Sequence, residues 1–268
     1  MWIRFAFMTH TQNSRMLRTF GAVACLSILS FATACGNDSD KGGDDTASSD
    51  QAAGQVNHEP LPAGTTPATL ILNGDNAPAG YTYEPTSPES QGALVELLGE
   101  TSQEELPVVE PGQCAGVIMD GTTFLDWLAQ HAETTAVASY TKEDNEDDAV
   151  HVMVSTEAAD PAQYPQDLAE CATTTKTRNS DQLTTIKKFE VTPADRQGQG
   201  ADRLAAAQTT LVSSTLNGEE VGQTGESLYV YSGSVRGAHF TIASTTTMTA
   251  EEFSALATAQ AEKISEAS

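Results

Sequence analysis

Apolar residues fall unevenly along this chain, and their spacing divides it into three stretches. Between Phe20 and Phe31 they form one near-continuous run, shorter than the roughly 20 residues a membrane-spanning helix needs. Between residues 36 and 66 they almost vanish: GNDSDKGGDDTASSDQAAGQVNHEPLPAGTT holds six acids against the single base Lys41. Such a segment cannot bury enough surface to offset the entropy of ordering it, and as a flexible coil it spans about 30 Å root-mean-square. From about Thr69 onward apolar positions recur with helix or strand periodicity, so folded structure is expected to start there.

Leu70-Ile71-Leu72 is a short apolar element stopped by Asn73-Gly74-Asp75, and Pro78-Ala79-Gly80 turns the chain into an extended segment at Tyr81–Glu84. Leu94, Val95, Leu97 and Leu98 predict a helical turn or two ended by Gly99. Pro107–Gln113 is extended, and its Pro111-Gly112 turn delivers Cys114. From Gly121 the spacing of Phe124, Leu125, Leu128 and His131, with Trp127 alongside, predicts a helix. Thr134–Thr141 is β-branched and alternating, and Val150, Val152 and Val154 alternate after it. Together they make a hairpin whose turn is the acidic run Glu143–Asp148.

Asp160-Pro161 offers a helix start, with Pro165 restarting or kinking it and Tyr164, Leu168 and Cys171 on one face. Ile186–Val191 and Leu204–Val212 read as strands around the polar loop Asp195–Gly200. Leu228–Tyr231 and His239–Ala243 form a further hairpin, joined through Ser232-Gly233-Ser234 and Arg236-Gly237. Thr249 as N-cap with Glu252 three residues on makes a capping box for a closing helix. Phe253, Leu256, Ala257, Gln260 and Ile264 lie on the inner face of that helix. This order predicts an α+β fold: a single domain over residues 67–268, an antiparallel β-sheet packed with helices.

The N-terminal run gains meaning from its flanks. Arg15 and Arg18 precede it, small residues end it, and an acidic stretch, not a basic stop-transfer segment, follows. Ala32-Thr33-Ala34-Cys35 resembles the lipobox of bacterial lipoproteins, departing from it at Ala32, where that pattern prefers Leu. Cys25 is a competing position, but Leu26, Ile28, Leu29 and Phe31 would then remain on the mature chain. The expectation is a signal peptide over 1–34, in which residues 1–15 are either a long n-region or an upstream start left unused in favour of Met16, and a lipidated Cys35 heading a linker over 35–66. The domain would then sit on the extracytoplasmic face of the cell membrane, held by acyl chains on Cys35.

Charge narrows the partners. The chain has 13 basic and 37 acidic residues; without Arg4, Arg15 and Arg18 the mature form carries a formal charge of −27. Such a surface repels phosphate backbones and excludes nucleic acid as a partner. Once Cys25 and Cys35 are assigned to the signal and the lipid, Cys114 and Cys171 remain as a pair in an oxidising compartment, where a disulfide is expected. Closing the loop between them, a separation of 57 residues, stabilises by about 4 kcal/mol in the chain-entropy model.

One family resemblance accounts for several short motifs together. Pro78-Ala79-Gly80-Tyr81, Glu110-Pro111-Gly112-Gln113-Cys114, the Val150–Ser155 strand, Asp167-Leu168-Ala169-Glu170-Cys171, the Arg236-Gly237 hairpin and the Ala257–Ile264 helix occur in order. In this the chain resembles the PknH-like extracellular sensor domain of actinobacterial receptor kinases and its lipoprotein relatives, over about residues 69–266. It is also similar to the PsbP-like lipoprotein group. The first resemblance implies one α+β domain with a cleft that binds a ligand. The kinase sensors usually carry two disulfides, whereas this chain can make one, and it has no kinase domain.

No pattern points to catalysis or to a resident cofactor or metal. HExxH and Gly-x-Ser-x-Gly are absent, Gly198-Gln199-Gly200 lacks the third glycine of a phosphate loop, and no histidine lies at ligand spacing from a cysteine. The acidic run Glu143–Asp148 lacks the glycine and distal glutamate of a calcium loop and reads as a solvated hairpin tip. Aromatic side chains are the better candidates for a ligand surface. With Leu228 and Val230 facing the core, Tyr229 and Tyr231 would face outward, flanked by His239 and Thr241 and joined by Tyr140 or Trp127. The alternative is that a helix covers that face and the rings are core. The expected function is a non-catalytic ligand-binding or sensor-like lipoprotein taking a small molecule or lipid. The alternative is a structural or protein-interaction lipoprotein of the cell envelope, with an envelope protein as partner.

Overall fold

In a computed structural model of the chain, the described residues are 59–85, 106–179, 183–196, 198–222, 224–245 and 247–268. The ten strands among them are β1 (Tyr81–Pro85), β2 (Val108–Glu110), β3 (Thr135–Lys142), β4 (Asn145–Ser155), β5 (Thr173–Asn179), β6 (Thr184–Pro193), β7 (Asp202–Leu216), β8 (Glu219–Glu220), β9 (Ser227–Val235) and β10 (Ala238–Thr245). All pair antiparallel in one sheet of order β1-β3-β4-β10-β9-β7-β6-β5-β2, with β8 added to β7. Among the described residues three α-helices accompany them: α1 (Pro67–Leu70), α2 (Gly121–His131) and α3 (Ala250–Ser265). The fold is thus dominated by its sheet more than the balanced α+β expectation. No helix among the described residues is long and apolar enough to cross a membrane.

Each face of the sheet has its own cover. α3 begins at the expected capping box, Thr249 with Glu252, and buries Phe253, Leu256, Ala257, Gln260, Ala261 and Ile264. They pack with Tyr140, Val152, Tyr231, Phe240 and Ile242 in the largest apolar cluster, each large side chain contributing about 1.5–3 kcal/mol. Gln260 is polar and fully buried, but its amide is satisfied: Nε2 donates to Leu70 O (2.8 Å) and Oε1 accepts from Leu72 N (3.2 Å). That pair of bonds fastens the end of α1 to α3.

The opposite face carries α2 and a 3-10 segment, Gly112–Val117, beside a cluster of Cys114, Val117, Ile118, Cys171, Phe189 and Val191. Cys114 and Cys171 are joined by a disulfide, Cα atoms 5.7 Å apart.

Several expectations need correction. The helix expected from Asp160 is two 3-10 turns, Pro161–Gln163 and Leu168–Cys171. Pro165 supplies no N–H and disfavours helical backbone at the preceding residue, and Tyr164 is extended at φ −121°, ψ 127°. The hairpin between β3 and β4 turns at Glu143–Asp144 alone, and Asp148 is not at a solvated tip. It is 2 % exposed, accepts a hydrogen bond from Thr245 Oγ1 and lies 3.5 Å from Lys142 Nζ. β5 was not expected at all, since TTTKTRN has no apolar alternation to mark a strand. Part of the expected linker is tied to the domain: Arg236 binds Glu59 O (2.8 Å) and Pro60 O (3.2 Å). Cys35 and the helical turn expected at Leu94–Leu98 lie outside the described residues.

Candidate functional site

The aromatic residues expected to share one cleft are divided by the sheet. β9 and β10 pair Tyr231 with Ile242 and Tyr229 with Ser244. Alternation therefore puts His239 and Thr241 on the far side from the two tyrosines, so they do not flank them. Tyr231 and Tyr140 are fully buried under α3, where the Tyr140 hydroxyl donates to Asn73 O (3.1 Å) and burial pushes its phenol up. Tyr229 is half-buried with the Arg196 guanidinium 3.5 Å over its ring, a cation–π contact.

Trp127 and His239 meet instead on the α2 side. The Trp127 ring stacks on His131 (4.1 Å) and meets His239 edge-on (5.3 Å), and its Nε1–H donates to Thr135 Oγ1 at 3.2 Å. His239 Nδ1 lies 2.9 Å from Glu157 O; a carbonyl only accepts, so this nitrogen carries the proton. Burial pushes the His239 imidazole below its ordinary value, against the opposing effect of that backbone bond. These contacts dock α2 onto the sheet. Nearby, Ser139 Oγ and His151 Nδ1 form a cross-strand bond of 2.9 Å.

A different constellation, not anticipated from the sequence, lies where the N-terminus of α2 crosses the β5–β6 hairpin. Register places Lys176 directly opposite Lys187 and Arg178 opposite Thr185. Two like charges in cross-strand register repel. Asp120 resolves the conflict from the position before α2: Oδ1 accepts from Lys176 Nζ and Oδ2 from Lys187 Nζ, both at 2.7 Å. The same carboxylate caps α2 by accepting from Thr123 N (3.0 Å), and Lys176 Nζ also reaches Thr123 Oγ1 (2.7 Å). Burial alone would raise the Asp120 carboxyl, but the two ammonium groups outweigh it and hold it well below the usual carboxylate range. Lys176, only 3 % exposed, is pushed down by desolvation against the attraction of Asp120. Arg178 pairs with Asp126, farther along α2.

Two small cavities adjoin Lys187. One of about 110 Å³ is lined by Lys176, Arg178, Thr185 and Lys187. Another of about 140 Å³ lies beside Asp120, Phe189, Leu211 and Glu226. A larger, open hollow of about 490 Å³ lies where residues 62–69 meet 263–268.

No family model, curated protein or solved structure matches this chain. The constellation must therefore be read from its own chemistry. It holds three cations and Thr185 lining the small cavity, with Asp120, Asp126 and Thr123 bonded to those cations, and among the described residues no group of three or more His, Cys, Asp or Glu gathers to hold a metal. In sequence the one signal was Lys176-Thr177-Arg178, whose i, i+2 spacing puts both cations on one face once the segment is known to be a strand.

Proposed function

We propose that this chain is an extracytoplasmic lipoprotein, held in the cell membrane by lipid on Cys35, whose domain is a non-catalytic ligand-binding or sensor-like module. The lipobox Ala32-Thr33-Ala34-Cys35 supports the anchor, and the Cys114–Cys171 disulfide supports an oxidising compartment. The resemblance to PknH-like sensor domains supports a role in recognition. The observation that carries the binding reading is the cavity lined by Lys176, Arg178, Thr185 and Lys187. A chain with formal charge −24 assembles three of its few cations on one patch there, an arrangement that backbone pairing alone does not favour.

A second reading, a structural or protein-interaction lipoprotein of the envelope, is favoured by the filled aromatic core under α3 and by exposed Leu106, Val108, Leu183, Val212 and Val221. Two measurements test the proposal. Cys35→Ala should move the protein from the membrane fraction to the soluble fraction; continued membrane association overturns the anchor. Native mass spectrometry of the detergent-purified lipoprotein should retain a bound small molecule. A bare mass would favour the interaction reading.

A further inference from the structure

We propose that the cavity on the β5–β6 hairpin is an oxyanion site, built to take a phosphate or sulfate group between Arg178, Lys187 and Thr185, with buried Lys176 and half-buried Asp120 as its support. The inference rests on the ligand-binding reading above and names the class of ligand. Three observations carry it.

The first is spacing. Lys176 faces Lys187 and Arg178 faces Thr185 across adjacent antiparallel strands, so four donor side chains stand at the corners of a patch about 5 Å by about 7 Å. Three of the four are cationic, and they line a half-open hollow of about 110 Å³, large enough to take a compact anion.

The second is donor supply. Asp120 accepts one bond from each lysine and Asp126 accepts from Arg178. A guanidinium carries five N–H donors in a fixed fork and an ammonium three, more than a single carboxylate accepts. The Arg178 and Lys187 side chains are partly exposed, at 33 % and 24 %, while Lys176 is buried. The outer pair is thus reachable and the inner lysine fixed.

The third is the field. Glu226 lies by the neighbouring cavity on the other side of Lys187, not by this one. An ion arriving through the acidic surface finds here three cations against the two carboxylates Asp120 and Asp126, a net single positive charge, where desolvation strengthens each bond.

A free oxyanion and the phosphate of a lipid headgroup share this chemistry, and the experiment separates them. The mature lipoprotein in neutral detergent and phosphate-free buffer is titrated calorimetrically with inorganic phosphate. In parallel, the full mature chain carrying Cys35→Ala is floated with phosphatidylcholine vesicles, with and without phosphatidylglycerol. Saturable phosphate binding assigns a free oxyanion; flotation only with phosphatidylglycerol assigns the headgroup. In either arm Arg178→Gln should weaken binding about tenfold or more, as expected for loss of a charge-assisted bond. Thr185→Val should weaken it less, and Lys188→Gln, on the opposite side of β6, should leave it unchanged. No binding in either arm, or binding that survives Arg178→Gln and Thr185→Val in chains that remain folded by circular dichroism, overturns the site. Should native mass spectrometry still retain another molecule, only the oxyanion assignment fails and the ligand-binding reading stands.

Discussion

Lys176 and Lys187 are register partners on neighbouring strands, and each brings its ammonium 2.7 Å from a different oxygen of Asp120. The carboxylate does two things in one position. It offsets the repulsion of a cross-strand lysine pair, and it caps the helix that carries Phe124, Trp127 and Leu128 onto the sheet. Lys176 and Asp120 thereby tie α2 to the sheet by charge, while the Cys114–Cys171 disulfide joins two 3-10 segments covalently.

Removing that carboxylate should be costly. Asp120→Ala leaves Lys176 buried with its main counter-charge gone, which for a buried pair costs about 3–5 kcal/mol, and it deletes a cap worth about 1 kcal/mol. Urea unfolding should show the loss as a lower midpoint. The double variant Asp120→Asn with Lys176→Met should recover much of it. An Asp120→Ala midpoint equal to wild type would refute the account of the triad.

Acid should weaken the fold in two windows. His239 and Asp120 both have folded values below their ordinary ones, so the unfolded chain binds protons more readily and stability falls as pH falls. His239 contributes its share above about pH 6.5 and loses it below; Asp120 contributes above about pH 4 and loses it further down. Denaturation midpoints measured from pH 7.5 to 3 should decline gently and then steeply. His151 is likewise held below its ordinary value by burial and shares the upper window, so His239→Asn, which retains a donor for Glu157 O, should make the upper decline shallower and leave the lower one unchanged. A midpoint constant between pH 7 and 4 would sink this prediction.

Arg236 joins the start and end of the described domain. Its guanidinium binds Ser265 O (3.2 Å) and Ala267 O beyond the last turn of α3, together with the carbonyls of Glu59 and Pro60. A cation at a helix C-terminus also complements the macrodipole. Arg236→Ala should cost about 1.5–3 kcal/mol if these charge-assisted bonds act together. It should also quicken hydrogen exchange at residues 264–268 and proteolysis near Glu59. Unchanged exchange at both ends would show that the bonds do not hold them.

Gly198 and Gly112 make a matched pair. A Cβ at Gly198 would stand 2.7 Å from the backbone carbon of Ala257 in α3, whereas one at Gly112 meets nothing within 4 Å. Gly198→Ala must push α3 off the sheet locally and should cost about 1–3 kcal/mol. Gly112→Ala should be within about 0.5 kcal/mol of neutral. Thermal melts of the two variants decide the matter, and equal melting temperatures would contradict the packing described.

Elements written in local periodicity were legible from the chain alone. α2, α3 with its capping box, the β3–β4 and β9–β10 hairpins and the Cys114–Cys171 pair all follow from residues near one another or from elimination among four cysteines. Periods of 3.6 and 2 are properties of the backbone and survive in any fold. Tertiary structure alone decided which face each residue joined. Whether His239 stands beside Tyr231 or behind it depends on one step of register between β9 and β10, and a single step exchanges the faces. β5 escaped notice because its threonines and cations carry no apolar alternation, and neighbours on both sides make it a strand. The meeting of Asp120, Lys176 and Lys187 joins positions more than fifty residues apart. No local pattern encodes such a meeting, because the energy that holds it comes from desolvated charge across a sheet and exists only once the sheet has formed.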